Sequence, residues 1–335
     1  MNTGTIRMVD VIGIDAPCMD FLVNLDRLPV PNSSTPFLES SWQGGGKVAT
    51  ALITLARLGD DCGIIANVGG DLYGDVIEWD FIRHNVGVSH LKRLAGHYTS
   101  LSLVLSDRET MGRSIIWQGG GAPLVTELDV EYLKQAKYLH VPGAGGVFAE
   151  AMGIVNKAGG KVVIDADRYD EAIINKLNMI DVFIASEFFF DKVSDDKDIE
   201  ACCRKIQKKG PETVVFTFGE KGCAGLGADG AFFTEPAFNV PVVDTTGAGD
   251  VFHGAFIHGL LQGWDARECA RWGNAVSAIK VTQLGGRAGI PDLATVQAFL
   301  STGEIDSPEL GERVKWYSNA LNNTINENGR RAHEI

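Results

Sequence analysis

The sequence predicts an α/β fold with a mostly parallel central sheet that is covered by helices on both faces. Two observations support this class. Short apolar, β-rich runs alternate with helical patterns along most of the chain, which is typical of parallel strands joined by helical crossovers. The chain also contains 40 glycines, and many of them stand between an apolar run and a helical pattern, where a tight turn is needed.

The expected elements can be assigned in chain order. Strands are predicted at residues 9–14, 62–67, 138–141, 161–165, 181–185 and 213–217. Helices are predicted at residues 47–58, about 72–85, 148–158, 198–208 and 266–282. In the first of these helices, Val48, Leu52 and Leu55 lie on one face, and Gly59 is expected to end it.

Two stretches interrupt this alternation. Residues 18–41 and 97–117 show strand-like patterns with no helix between the strands. They predict either a small second sheet that covers a binding site as a lid, or an extra hairpin at the edge of the main sheet. We therefore expect a main domain over residues 1–302 with these lid segments inserted. Residues 303–335 are expected to form a docked amphipathic helix followed by a mobile tail of about a dozen residues.

The composition restricts the class of protein. The 335 residues are 45% hydrophobic and 22% charged, as in folded globular proteins, and the formal net charge is −13. An acidic chain does not favour nucleic acid or an anionic membrane as partner, so a small molecule is expected. No apolar run reaches the roughly 18 residues of a membrane helix, and the first residues lack a signal-peptide pattern. The six cysteines show no metal-binding spacing, so reduced thiols and a cytoplasmic location are expected.

The strongest functional signal is the segment VPVVDTTGAGDVFHGAF at residues 240–256. An apolar strand is predicted at 240–243, followed by a turn of small residues at 247–249 and then a helix. Uncovered N–H groups at a helix N-terminus form an anion site. The carboxylate of Asp250 then has two interpretations: it stabilises the helix dipole, or it acts as a general base beside a bound phosphoryl group.

Two segments resemble the signatures of the ribokinase-like (PfkB) carbohydrate kinase family. DTTGAGD resembles the C-terminal signature, and GGGKVATALITLARLG at residues 44–59 resembles the N-terminal one. The resemblance extends over roughly residues 8–302, and the loop GGRAGIP at 285–291 is similar to that of a subgroup with ketohexokinase-like and sulfofructose-kinase-like members. It implies a ribokinase-like fold with a small β lid, and ATP-dependent phosphoryl transfer to a hydroxyl of a sugar or sugar-like substrate.

The resemblance also implies roles for individual residues. The catalytic group comprises the general base and the anion hole, namely Asp250 with Gly247, Ala248 and Gly249. The positions that would contact the acceptor are Asp20, Gly45, Gly46 and Lys47. The positions that would contact ATP are Thr217, Gly219, Gly222 and Asn274. Asp244 and Thr246 match positions that supply oxygens to an activating monovalent cation such as K⁺.

Some positions depart from the family pattern. Many members carry Asn-x-x-Glu where this chain has Ser186 and Phe189, which leaves Glu187 as the candidate for the Mg²⁺ site. Thr50 stands where many members have an Asn that contacts the substrate, so an acceptor other than ribose is expected. Ketoses, hexoses, phosphorylated or sulfonated sugars and nucleosides all remain open.

Several other residues are weaker candidates. His140, Asp165, Asp167 and Arg168 stand at predicted strand ends, and His253 follows the base on its helix. Arg287 either meets a phosphate or lies on the surface, and the aromatic run 188–190 is expected in the core. The pattern G-x-G-x-x-G in GLGADG, residues 225–230, precedes a strand and predicts a hairpin rather than a dinucleotide site.

Two further functions stay open beside the carbohydrate kinase. One is a nucleoside kinase on the same fold, which aromatic residues lining the lid would favour, whereas polar partners for hydroxyl groups would favour a sugar. The other is a non-catalytic sugar or nucleotide sensor, against which the intact DTTGAGD motif argues. Exposed lid strands would allow a homodimer.

Overall fold

The computed structural model describes residues 9–110, 112–194 and 196–332. Within these ranges the chain forms thirteen strands, which are β1 (Val9–Ile14), β2 (Met19–Leu25), β3 (Glu39–Gly44), β4 (Cys62–Gly69), β5 (Gly87–Leu94), β6 (Leu101–Asp107), β7 (Gly112–Trp117), β8 (Ala136–Val141), β9 (Lys161–Ala166), β10 (Val182–Ser186), β11 (Thr213–Thr217), β12 (Cys223–Leu226) and β13 (Phe232–Glu235).

The same ranges contain twelve α-helices, which are α1 (Lys47–Leu58), α2 (Leu72–Arg83), α3 (Val130–Leu133), α4 (Val147–Ala158), α5 (Glu171–Ile174), α6 (Glu187–Val193), α7 (Ile199–Gln207), α8 (Ala248–Leu261), α9 (Ala266–Val281), α10 (Leu293–Thr302), α11 (Pro308–Ser318) and α12 (Ala320–Ala332). Short 3-10 turns lie at Leu177–Met179 and Gly219–Lys221. No helix in the described part is long and apolar enough to span a membrane.

Nine strands form the central sheet, in the order β13-β12-β11-β10-β9-β8-β1-β4-β5. The seven strands from β11 to β5 in this order run parallel. At the other edge, β12 pairs antiparallel with β11 and β13 pairs antiparallel with β12. Successive residues of the buried strand β1 belong to opposite cores, with Val11 in one and Ile12 in the other. Alternation of this kind buries both faces under helices, as the sequence predicted.

Four strands form a second, smaller sheet in the order β3-β2-β6-β7. These strands fall within or next to the two stretches that interrupt the strand-helix alternation. Of the two structures predicted for these stretches, the small second sheet is the one that forms. Strand β2 pairs with β6 in parallel and with β3 in antiparallel fashion. The stacked rings of Phe21 and Trp42, whose centroids lie 4.4 Å apart, join β2 to β3.

Residues 240–243 and the C-terminal segment differ from the sequence-based expectation. Residues 240–243 form no strand. They connect the edge hairpin β12–β13 to the end of α9. There the N–H groups of Val243 and Asp244 donate to the Val281 carbonyl rather than to a neighbouring strand. The GLGADG segment is a hairpin turn, as predicted, since β12 and β13 pair antiparallel around it. At the C-terminus, α11 is followed by α12, which continues to Ala332.

Candidate active site

A cavity of about 810 Å³ lies between the small sheet and the carboxyl ends of the parallel strands. Strand ends in open α/β sheets carry uncovered backbone groups, which is why ligand sites gather there. The predicted site residues that line this cavity are Asp20, Gly46, Lys47, Thr217, Thr246, Gly247, Gly249 and Asp250. Residues far apart in the chain, such as Lys47 on α1 and Asp250 on α8, are brought together here only by the fold.

The turn before α8 has the geometry of an anion site. Gly247 is the N-cap residue of α8 in a left-handed conformation, with φ of 77°, and a Cβ there would lie 2.8 Å from the Gly286 Cα. Only glycine is accommodated without strain at such a position. The helix N-terminus has no side-chain cap. The Ala248 N–H donates to the Thr245 carbonyl at 3.2 Å, whereas Gly249 and Asp250, the next residues of the first turn, line the cavity, where their N–H groups suit a phosphoryl group.

Asp250 lies in the first turn of α8, beside two other charged groups. Burial and the nearby charge of Asp165 raise the pKa of Asp250 well above its ordinary value, although Lys47 partly offsets this. The pKa of Asp165 itself lies below its ordinary value, because His253 and Lys47 outweigh its burial. Two carboxyl groups whose pKa values are pushed apart are the arrangement expected of one proton acceptor and one fixed anion.

Lys47 stands at the first position of α1, where the helix dipole disfavours a positive charge. Its ammonium lies 3.7 Å from Asp165 Oδ1 and 3.6 Å from Asp167 Oδ1. Burial alone would lower the pKa of Lys47, but these carboxylates raise it above its ordinary value. Ion pairs across the cavity floor therefore hold Lys47 at a position that the helix alone would not favour.

The start of α1 is capped from another element. Its N-cap residue, Gly46, provides no side chain, and Asp15 from the turn after β1 accepts a hydrogen bond from the Ala49 N–H at 2.9 Å. Gly45 is equally constrained, because a Cβ there would overlap the Asp20 carboxylate. Burial raises the pKa of Asp20 to about 6. The structure thus brings Asp20, Gly45 and Gly46 together beneath the lid.

A buried imidazole pair lies behind the charged cluster. His253 Nε2 is 3.7 Å from Asp165 Oδ1, and its ring stacks on that of His140 with centroids 5.4 Å apart. Burial lowers the pKa of His140 to about 3 and that of His253 below its ordinary value. Both imidazoles are therefore neutral near pH 7, and His253 reaches the cavity wall.

The predicted nucleotide positions are not all at the cavity. Thr217 ends β11 and lines it, whereas Gly219 and Gly222 lie at the following 3-10 turn. Asn274 is buried, and its amide donates hydrogen bonds to the Glu235 and Pro236 carbonyls at 3.1 and 3.0 Å. Its contact with adenine stays a prediction, and what the structure provides is a tether between α9 and the end of β13.

The predicted cation ligands bind each other instead. The Asp244 carboxylate accepts hydrogen bonds from the Ser106 hydroxyl (2.8 Å), from the Thr246 N–H and hydroxyl (3.0 and 2.8 Å), and from the Gly285 N–H (2.8 Å). The Lys280 ammonium donates to the Asp244 carbonyl at 2.9 Å. Burial lowers the pKa of Lys280 to about 8, against the attraction of Asp244. Three of these donors converge on Oδ1 of Asp244 and one reaches Oδ2, so protein donors occupy Oδ1, and the predicted cation site at Asp244 and Thr246 stays a prediction.

Glu187 does not define a metal site by itself. It is the first residue of α6 and half-buried, and the cavity is lined by its neighbours Ser186 and Phe188 rather than by its own side chain. Over the described ranges, no three His, Cys, Asp or Glu residues are grouped to hold a metal ion. Mg²⁺ is often held by one or two carboxylates together with the phosphates of a nucleotide, which does not require such a group.

Three site features escaped the sequence analysis. Arg113 of the lid strand β7 lines the cavity and donates to the Thr245 hydroxyl at 3.1 Å. Phe188, expected in the core, is 66% exposed and lines the cavity beside Arg168. Arg287 was expected at a phosphate or on the surface; it is fully buried, so the surface expectation is wrong. No local pattern marks Arg113 or Arg287, since the partners of both lie far away in the chain.

A mostly parallel sheet, a small β lid and an aspartate at an open helix N-terminus beneath that lid define a phosphotransferase of the ribokinase-like fold class. The family of pfkB carbohydrate kinases matches residues 7–293, so the chain belongs to this family. It is accordingly an ATP-dependent carbohydrate kinase that phosphorylates a sugar or a sugar-like substrate.

Individual relatives are distant. The 5-dehydro-2-deoxygluconokinase of Clostridium perfringens is 25% identical over 296 residues, which cover 81% of this chain and 86% of that protein. The nucleoside kinase of Methanothermobacter thermautotrophicus is 23% identical, with 84% and 93% covered. An E. coli protein assigned as ribokinase II, solved in complex with ATP and Mg²⁺, superimposes with a TM-score of 0.78 at 23% identity, covering 88% of this chain and 99% of that chain.

Proposed function

We propose that Asp250 is the general base of this kinase, and that the acceptor is a polyhydroxylated sugar that carries an anionic group such as a carboxylate. The observation that supports the base is the position of Asp250: it lines the cavity under the lid, in the first turn of a helix whose N–H groups face the same space. A base and an anion-binding turn at one helix terminus suit proton removal from a hydroxyl that attacks a phosphoryl group.

The residues around Asp250 suit this step. Its raised pKa makes it a better proton acceptor than an ordinary aspartate, since proton transfer is most effective when the pKa approaches the operating pH. The N–H groups that follow Gly247 and the guanidinium of Arg113 provide donors for the charge that develops on the phosphoryl group. Lid strands over the cavity exclude water, which would otherwise compete with the acceptor.

Mg²⁺ belongs to the proposal as the ion that accompanies ATP and offsets the charge of its phosphates. Glu187, which begins α6 beside the lining residue Ser186, and Asp167, which lines the cavity, are the proposed carboxylates for this ion. Thr217, Gly219, Gly222 and Asn274 remain the proposed nucleotide positions, and Gly45, Gly46, Lys47 and Asp20 the proposed acceptor positions.

The anionic acceptor is supported by two cavity-lining arginines that form no ion pair with a carboxylate among the described residues. Arg113 and Arg168 both line the cavity, and among the described residues neither has a carboxylate within ion-pair distance. One of them is expected to face the phosphates and the other an anionic group of the acceptor, because a guanidinium binds carboxylates and phosphates with two parallel hydrogen bonds. The relative named 5-dehydro-2-deoxygluconokinase has a name that denotes such a sugar acid.

The lid favours a sugar over a nucleoside. The lid residues that line the cavity are Cys18, Asp20, Ser102, Val104, Arg113 and Ile115. None of these is aromatic, so no stacking surface for a base is offered on the described part of the lid. Polar groups such as the Asp20 carboxylate and the Ser102 hydroxyl suit hydroxyl groups instead.

The test measures ADP release from ATP and Mg²⁺ with pairs of acceptors, each pair being a sugar acid and its neutral aldose or ketose, with phosphorylated and sulfonated sugars and nucleosides added. One acid should stimulate turnover well above its neutral partner. Asp250→Asn should then lose on the order of 10²–10⁴ in kcat. Asp306→Asn, an exposed carboxylate after α10, is the matched control.

The outcomes separate the candidate functions. Turnover of Asp250→Asn within a few-fold of wild type would remove Asp250 from the role of base. Preference for a neutral sugar or a nucleoside would refute the anionic acceptor while leaving the base intact. Binding of ATP with no turnover for any acceptor would favour the sensor.

Two further proposals concern the setting of the protein. We propose a homodimer through the lid, because Ile116 and Trp117 at the outer strand β7 are 60% and 72% exposed. Light scattering of the wild-type protein should give twice the mass of the 36.0 kDa chain. The cytoplasmic location also stays part of the proposal, and it is supported by the six cysteines, all within the described ranges, none of which forms a disulfide bond.

A further inference from the structure

Lys280 is a buried cation that the proposed chemistry leaves without a role. It lies in the last turn of α9 and is fully shielded from solvent. Throughout the described ranges, no carboxylate lies at ion-pair distance from its ammonium. Burying such a charge lowers the free energy of unfolding unless nearby groups compensate it. A lysine at this position is therefore expected to have a function.

The ammonium is enclosed directly beneath the anion-binding turn. It donates to the carbonyl of Asp244, the residue that begins the DTTGAGD segment, at 2.9 Å. The end of α9 is tied to the same segment, because the Val281 carbonyl accepts from the N–H groups of Val243 and Asp244.

A separate monovalent cation does not fit this place. Four hydrogen bonds from Ser106, Thr246 and Gly285 already use the Asp244 carboxylate. The carbonyl of the same residue, which would be another oxygen ligand, is bound by Lys280. A cation that used this carbonyl would have to displace the ammonium, and a cation bound at the Asp244 carboxylate alone would lie close to the positive charge of Lys280.

We propose that the ammonium of Lys280 supplies, from within the chain, the positive charge that a bound monovalent cation would otherwise provide, so that turnover does not depend on K⁺. The inference rests on the proposed function of the 244–250 turn. Lys280 touches neither substrate in this arrangement. It is a positioning residue, which holds the Asp244 carbonyl and places a fixed charge behind the N–H groups of the anion site.

The wild-type enzyme provides the first test. Phosphorylation of the acceptor is measured in tetramethylammonium, Na⁺ and K⁺ chlorides at equal ionic strength. Tetramethylammonium is too large for an ion site formed by backbone oxygens. The values of kcat/KM should agree within about twofold. Stimulation of about tenfold or more by K⁺ would overturn the inference.

Two variants of Lys280 provide the second test. Lys280→Ala leaves space for a cation, whereas Lys280→Met fills the space with an uncharged chain. In tetramethylammonium both should lose on the order of 10²-fold in kcat. Potassium or ammonium ions should restore much of the loss in Lys280→Ala but not in Lys280→Met. Lys157→Ala, an exposed lysine in the last turn of α4, is the control that should respond to no salt.

A measurement independent of turnover separates this inference from the proposed function. The melting temperature of Lys280→Ala should rise in K⁺ relative to tetramethylammonium, while that of the wild type should not differ between the two salts. Equal losses in both variants with no salt-specific recovery of melting temperature would make Lys280 purely structural and would overturn the inference. Should Lys280→Ala fail to fold, the wild-type salt comparison still decides it.

Discussion

Arg287 is a fully buried cation between the C-terminal helix α11 and the acceptor end of the site. Its removal is predicted to destabilise the whole domain. Its guanidinium lies 2.7 Å from Asp80 Oδ2 and donates to the Gly45 carbonyl at 2.9 Å. Both side chains of the ion pair are essentially inaccessible to solvent. The Tyr317 hydroxyl of α11 binds the other oxygen of Asp80 at 2.5 Å.

Arg287→Met keeps most of the side-chain volume but leaves the Asp80 carboxylate buried without its cation. Breaking a buried pair in this way costs about 3–5 kcal/mol of the free energy of unfolding. With a urea m value of about 3 kcal/mol/M, the unfolding midpoint should fall by about 1–2 M. The assay is urea denaturation followed by tryptophan fluorescence, with Arg271→Met as the control, because Arg271 forms an exposed pair with Glu268 at 3.6 Å.

A double-mutant cycle with Asp80→Leu isolates the pair itself. Removing both charges should be less destabilising than the sum of the two single changes, since neither partner is then left as an unpaired buried charge. A loss below about 1 kcal/mol for Arg287→Met, or strictly additive effects, would refute this reasoning.

Three further predictions concern the site. Lys47→Met removes the cation that opposes the raised pKa of Asp250. Because the base works when deprotonated, the acid limb of the kcat/KM profile should move to higher pH, and an unchanged limb would contradict the assignment. Gly247→Ala places a Cβ 2.8 Å from the Gly286 Cα at a φ of 77°, so kcat should fall on the order of 10²-fold, whereas Gly311→Ala, in open space on α11, should not change it. Asn274→Ala removes two hydrogen bonds to backbone carbonyls and should lower the free energy of unfolding by about 1–3 kcal/mol and raise the KM for ATP. An unchanged KM would contradict the proposed nucleotide contact and leave Asn274 as a structural tether.

Several local features were predictable because neighbouring residues determine them. Strand β1 and helix α1 have the predicted bounds, 9–14 and 47–58, and Gly59 ends the helix in a left-handed conformation. Apolar periodicity and a C-terminal glycine suffice for such assignments. The segment 240–243 shows the opposite case. Its apolar composition suggests a strand, but strand formation needs a neighbouring strand, and the fold places the end of α9 there instead.

The sequence by itself determined the fold class and the family, and it predicted Asp250 as the base, because the strand-helix alternation and the DTTGAGD segment are continuous in the chain. Only the tertiary structure decided which charges lie together. The partners of Arg287, of Asp244 and of Lys47 stand 207, 138 and about 120 residues away from them. The energy of a buried charge depends on such partners and on exclusion of water, and neither is recorded in the residues next to it.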